Sequence, residues 1–80
     1  MKKSVYSRAQ KVLRESLVAA RKEAGLTQQE LADRLGKPQS FVAKYEGGER
    51  RLDVVEFAQV AAEIGCDAVK AFKKVAEAVD

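Results

Sequence analysis

Between Thr27 and Glu46 the chain has room for two short helices around one tight turn, and for little else. Thr27 with Glu30 three positions later is a capping-box pattern, in which each side chain satisfies a backbone N–H that the helix start leaves open. It opens a helix over 28–35 whose inward residues are Leu31, Ala32 and Leu35, with Ala32 small enough for a second helix to cross closely. Gly36 suits the left-handed position that ends a helix, and Pro38 suits the first turn of the next, where a missing N–H costs nothing. The second helix then covers 38–46. Two helices joined this tightly form a helix-turn-helix.

The flanking sequence carries similar punctuation. Ser7 and Gln10 form a capping-box pattern ahead of a helix over 8–24 with an apolar stripe of Ala9, Leu13, Leu17, Ala20 and Ala24. Gly25 suits its C-terminus, and Leu26 can pack back on the preceding turn. Asp53 and Glu56 make another capping box, with Leu52 and Phe57 at hydrophobic-staple positions. The inward side of that helix is Phe57, Val60, Ala61 and Ile64, and Gly65 closes it. A last helix follows Asp67 and carries Val69, Phe72, Val75, Ala76 and Val79 along one stripe. No segment alternates with period two, so no strand is expected. The predicted architecture is an all-α, compact five-helix bundle in one domain over 1–80, with an N-terminal arm over 1–7 and a C-terminal helix over 67–79.

Eighty residues bury only about 60% of the surface of the unfolded chain, so help from dimerisation is expected. The apolar stripe of the last helix, Val69, Phe72, Val75 and Val79, is the candidate dimer seam, and part of it also has to close the monomer core. At this length no separate effector-binding domain is expected. The formal charge is only +3, which does not by itself establish a polyanion partner. Its distribution is more telling: basic residues gather at Lys2, Lys3, Arg8, Lys11 and Arg14 and again at Lys44, Arg50 and Arg51, whereas 53–67 holds four acids and no base. The chain has no histidine and one cysteine, which removes histidine-based catalysis, zinc sites and an intrachain disulfide; no enzyme activity, metal or cofactor is expected. Cys66 is expected to be a small buried or interfacial residue. No apolar run approaches the roughly 18 residues of a membrane span, and Met1, Lys2 and Lys3 do not lead into a signal-peptide core. A cytoplasmic, nucleoid-associated protein without a membrane partner is expected.

On a helical wheel of 38–46, Val42 and Tyr45 fall on one side, while Ser40, Ala43 and Lys44 fall on the other with Gln39 at its N-terminal flank. The second group has the side chains a DNA major groove accepts. Gln matches an adenine edge, Lys donates to guanine O6 and N7, and Ser or Ala allows close approach or meets a thymine methyl. Phe41 lies between the two sides; packing against Pro38 and Tyr45 and contact with thymine methyls or sugar are both open to it. The N-terminus of the preceding helix, at Thr27, Gln28 and Gln29, offers N–H groups and a dipole suited to a phosphate. Positioning and reading would then be separate tasks.

These residues resemble the Cro/phage-repressor (Xre-like) helix-turn-helix regulators over about 13–65. The motifs are Ala-Arg-x-x-Ala-Gly-Leu-Thr-Gln-x-Glu-Leu-Ala from Ala20, Gln-Ser-x-Val from Gln39 and Tyr-Glu-x-Gly from Tyr45. The resemblance implies a bundle of four or five helices that binds double-stranded DNA as a homodimer on a palindromic operator. It implies base contacts by Gln39, Ser40 and Lys44, a phosphate contact by Gln28 that also braces Gln39, and phosphate contacts by Arg50 and Arg51. It further implies a structural ion pair between Arg21 and Glu46. Lys37 stands at a commonly apolar turn position, and Glu49 puts an acid beside a loop expected to meet phosphate. The functional expectation is a sequence-specific transcriptional regulator, repressor or autoregulator, with a restriction-modification controller as one subtype. The alternative is an antitoxin or bridging module using the same fold to bind a protein partner.

Overall fold

The computed structural model describes the backbone over 4–79 and the side chains over 8–79. Five helices follow one another: α1 (Ser4–Glu23), α2 (Gln28–Leu35), α3 (Gln39–Glu46), α4 (Val54–Ile64) and α5 (Ala68–Glu77), with no strand among the described residues. This is the predicted all-α five-helix bundle. α1 starts at Ser4, so the backbone is already helical at Ser7 and the Ser7–Gln10 pattern does not mark the helix start. Lys2 and Lys3, and the side chains of Val5 and Tyr6, lie outside the described residues.

The other boundaries rest on caps that local sequence supplies. The Thr27 hydroxyl accepts from the Glu30 N–H at 3.0 Å while the Thr27 N–H donates to Glu30 Oε1 at 2.9 Å. Asp53 and Glu56 repeat the arrangement at the start of α4, and Asp67 Oδ1 accepts from the Val69 and Lys70 N–H groups ahead of α5. Gly36 ends α2 with φ +68°, a left-handed conformation that a Cβ would disfavour, and the Lys37 N–H closes the turn onto the Ala32 carbonyl at 3.0 Å. Pro38 caps α3 from an extended conformation one position before the helix, so the turn consists of Gly36, Lys37 and Pro38.

Leu17 of α1, Leu31 and Ala32 of α2, Val42 and Tyr45 of α3, and Phe57, Val60 and Ile64 of α4 form the core, flanked by the partly buried Leu13, Leu35 and Leu52. Leu17, Leu31, Val42 and Val60 are almost wholly removed from water, each contributing about 2 kcal/mol of apolar burial. Ala32 is fully buried, its small methyl side chain letting α3 approach α2. The Tyr45 hydroxyl is buried without a hydrogen-bond partner, and burial raises its pKa well above the ordinary phenol value.

α5 lies along α1 with a face that the sequence pattern did not single out. Its inward residues are the partly buried Ala68, Ala71 and Val75 and the buried Ala78, three alanines that let the two helices approach. Of the expected stripe only Val75 turns partly inward; Val69 is 79% exposed, Phe72 55% and Val79 53%. Cys66 is half-buried against the core, and burial pushes its thiol pKa up, away from the thiolate that redox chemistry requires.

Candidate nucleic-acid interface

The candidate surface is built on α3, whose period of 3.6 sorts its eight residues into two sides. Phe41, Val42 and Tyr45 are buried; Gln39, Ser40 and Lys44 are exposed, and Ala43 is half-exposed. Phe41, the undecided position, is 9% exposed and joins the core, its ring edge-on to Tyr45 with centroids 5.7 Å apart. It is therefore removed from the outward set. Its margin is still used, because the Lys37 ammonium lies 5.3 Å and the Arg50 guanidinium 4.8 Å from the ring centroid. The ring gathers one cation from the turn before α3 and one from the loop after it. Lys37 is thus exposed, with an aromatic neighbour in place of an apolar burial site.

Gln39 and Glu46 are seven positions apart, two helical turns, and so share a border of α3. Gln28, the first residue of α2, spans that border. Gln39 Nε2 donates to Gln28 Oε1 at 2.7 Å, and Gln28 Nε2 donates to Glu46 Oε1 at 2.8 Å. Arg21 of α1 completes the chain. Its Nε donates to Glu46 Oε2 at 2.7 Å, its Nη2 to Glu46 Oε1 at 3.0 Å and its Nη1 to the Leu26 carbonyl at 2.7 Å. The Arg21 and Glu46 side chains are only 10% and 7% exposed. Hydrogen bonding to Glu46 raises the Arg21 pKa above its ordinary value, against burial, which lowers it. The helix that carries the outward residues is thereby fastened to α1 and α2 by one polar network.

The other expected phosphate contacts are arranged unequally. The Thr27 hydroxyl is occupied by its cap and the Gln29 amide by Asp33 Oδ1 at 2.8 Å, leaving the Gln28 and Gln29 backbone N–H groups at the head of α2, where no intrahelical carbonyl is available. Arg50 is held by Glu56 through two bonds of 3.0 and 2.8 Å in addition to the Phe41 ring. Sequence reasoning missed this pairing, although the six-residue spacing across the loop would have allowed it. The Arg50 guanidinium, with the Asp53 N–H second, brings the Glu56 carboxyl down to about 2. Arg51 is exposed beside it. Arg14 reaches the same end of α3 from α1: its guanidinium carbon would stand 3.3 Å from a Cβ placed on Gly48, which has φ +82°. Glycine there keeps both the left-handed turn and the room for that contact.

Two short helices around a tight turn, the second with one buried and one polar side, define a helix-turn-helix DNA-binding domain. The helix-turn-helix family profile matches residues 17–70. An XRE-family like protein from Pseudomonas syringae pv. tomato has a similar structure, with 48% identity and a TM-score of 0.81 over 86% of this chain and 84% of that one. The clp gene regulator ClgR from Corynebacterium glutamicum superposes with a TM-score of 0.76 at 19% identity, covering 90% of this chain and 92% of its own. A point mutant of the restriction-modification controller protein C.Esp1396I gives 0.75 at 19% identity over 86% and 87%. At that identity the last two establish likeness of fold alone. No curated protein matches. The chain belongs to the Xre/Cro-like helix-turn-helix family and is a DNA-binding transcriptional regulator of that class. Among the described residues no cluster of His, Cys, Asp or Glu is arranged to hold a metal, and no helix is long and apolar enough to cross a membrane.

Proposed function

We propose that this protein is a homodimeric repressor or autoregulator that reads a pseudo-palindromic operator, laying α3 in the major groove of each half-site. The observation that carries the reading is the division of α3: Phe41, Val42 and Tyr45 are buried, whereas Gln39, Ser40 and Lys44 stand exposed on a helix held by the Arg21–Glu46–Gln28 network. Gln39 and Lys44 supply hydrogen-bonding groups for base edges, and Ser40 and Ala43 permit close approach. The Gln28 and Gln29 N–H groups at the start of α2 anchor one phosphate, and Arg51 meets another from the loop after α3. Arg50, shared between Glu56 and Phe41, shapes that loop more than it contacts DNA.

Exposed Val69, Phe72 and Val79 on α5 favour a protein contact, assigned here to a second copy of the chain. Selection of bound duplexes from a randomised pool tests the reading. A two-fold symmetric consensus with half-sites about one helical turn apart is expected. Failure to enrich any sequence would favour the protein-binding alternative, an antitoxin or bridging module.

A further inference from the structure

The hydrogen-bond chain that ends at Gln39 has a direction set by chemistry. A carboxylate only accepts. Glu46 Oε1 receives Arg21 Nη2 and Gln28 Nε2, and Oε2 receives Arg21 Nε, in a site where water has little access to replace any of the three. Gln28 must therefore turn its NH2 group toward Glu46 and its carbonyl away. The carbonyl meets Gln39, and only a donor can answer it, so Gln39 commits one Nε2 hydrogen at 2.7 Å. What Gln39 has left to present is one N–H and one carbonyl oxygen.

One donor beside one acceptor complements the adenine major-groove edge, with N7 as acceptor and the N6 amino group as donor. Guanine offers two acceptors, N7 and O6, one of which would face the Gln39 oxygen. An amide free to rotate can turn both hydrogens toward guanine; one held by Gln28 cannot. We infer that Glu46 is a specificity-determining positioning residue: acting through Gln28, it holds the Gln39 amide in the orientation that selects adenine over guanine at one operator position. Glu46 itself touches no base. Arg21 contributes by holding Glu46 from α1, so a residue of the first helix bears on the choice of base. The inference rests on α3 being the base-reading helix.

The test compares base frequencies among selected duplexes for the wild type, Gln39→Ala, Glu46→Gln and Gln28→Leu. Gln39→Ala identifies the position concerned. The wild type is expected to prefer adenine over guanine there by about tenfold or more, the range of a bidentate contact. Glu46→Gln can show either an oxygen or an NH2 to Gln28, so the preference should fall to within about threefold while the preferences set by Ser40 and Lys44 persist. A uniform loss of affinity or stability does not move this ratio, which separates positioning from simple support of the fold. A folded Glu46→Gln protein that keeps the full preference overturns the inference. Should that variant not fold, Gln28→Leu leaves the Arg21–Glu46 pair in place and severs the chain, and an unchanged preference there overturns it equally. If the wild type enriches no sequence, the base-reading assignment itself falls and takes this inference with it. If selection is intact and only the dependence on Glu46 and Gln28 is missing, this inference falls alone.

Discussion

Arg21, near the end of α1, and Glu46, the last residue of α3, meet in a two-pronged ion pair across 25 positions of sequence. Planar guanidinium and carboxylate groups held by two parallel bonds fix an orientation as well as a distance. The third Arg21 bond, to the Leu26 carbonyl, ties the same guanidinium to the connection between α1 and α2. Two helices and the connection between α1 and α2 are thus held by one residue, and the outward side of α3 inherits that orientation.

Because both side chains are largely removed from water, deleting one partner leaves the other charge uncompensated. Arg21→Met and Glu46→Gln should each lower stability by about 3 kcal/mol, with the double variant less affected than the sum of the two. Urea denaturation of all four proteins measures the coupling. Small, additive effects would show that the pair does not act as a clamp.

Lys44 and Arg51 are expected to fail in different ways. Lys44→Ala should change the base preferred at one position, at a loss of about 1–3 kcal/mol for the favoured sequence. Arg51→Ala should weaken all sequences alike and reduce the slope of log affinity against log salt by about one. Fluorescence anisotropy on cognate and scrambled duplexes across a salt series separates the two; a sequence-selective loss in Arg51→Ala would contradict its assignment to phosphate.

The Arg50–Glu56 pair predicts an acid-side loss of stability. Glu56 is more acidic in the folded protein than in the unfolded chain, about 2 against an ordinary 4.5. Its contribution is fully present above the unfolded value and disappears as pH falls toward the folded one. Glu56→Gln, which removes the titrating group, should therefore differ most from the wild type near neutral pH, and the two stability curves should converge as pH drops below about 4.5. A constant gap in thermal melts from neutral pH to about pH 2 would rule out the linkage.

Exposed Phe72 offers a test of the dimer that spares the monomer core. Phe72→Asp should give a folded monomer with strongly reduced operator affinity, because one reading head makes half the contacts. Sedimentation at tens of micromolar decides the matter. A wild-type monomer that binds one half-site tightly would end the dimer reading.

The chain's local chemistry was sufficient for most of the fold. Thr27 with Glu30, Asp53 with Glu56, and Gly36 and Gly65 act within one helical turn, so the starts and stops they dictate can be read without knowing what packs on them. Leu31, Ala32, Val42, Tyr45, Phe57, Val60, Ala61 and Ile64 were legible as core for the same reason, since a 3.6-residue period is a property of sequence. Ser7 with Gln10 shows the limit: the sequence pattern of a capping box can also fall inside a helix, and α1 runs through it from Ser4.

Tertiary structure decided what depends on distant partners. Phe41 stands at the margin of α3, and its burial follows from joining the core cluster that Leu17, Leu31 and Phe57 build from the other helices. α5 carries two apolar stripes side by side, and the packing against α1 takes the alanine stripe because small side chains let the helices come closer, leaving Val69, Phe72 and Val79 outside. The sequence by itself determined which residues Gln39, Gln28, Glu46 and Arg21 are and that they lie on α3, α2 and α1. Only the fold, by bringing those three helices within hydrogen-bond distance, determined which donor meets which acceptor.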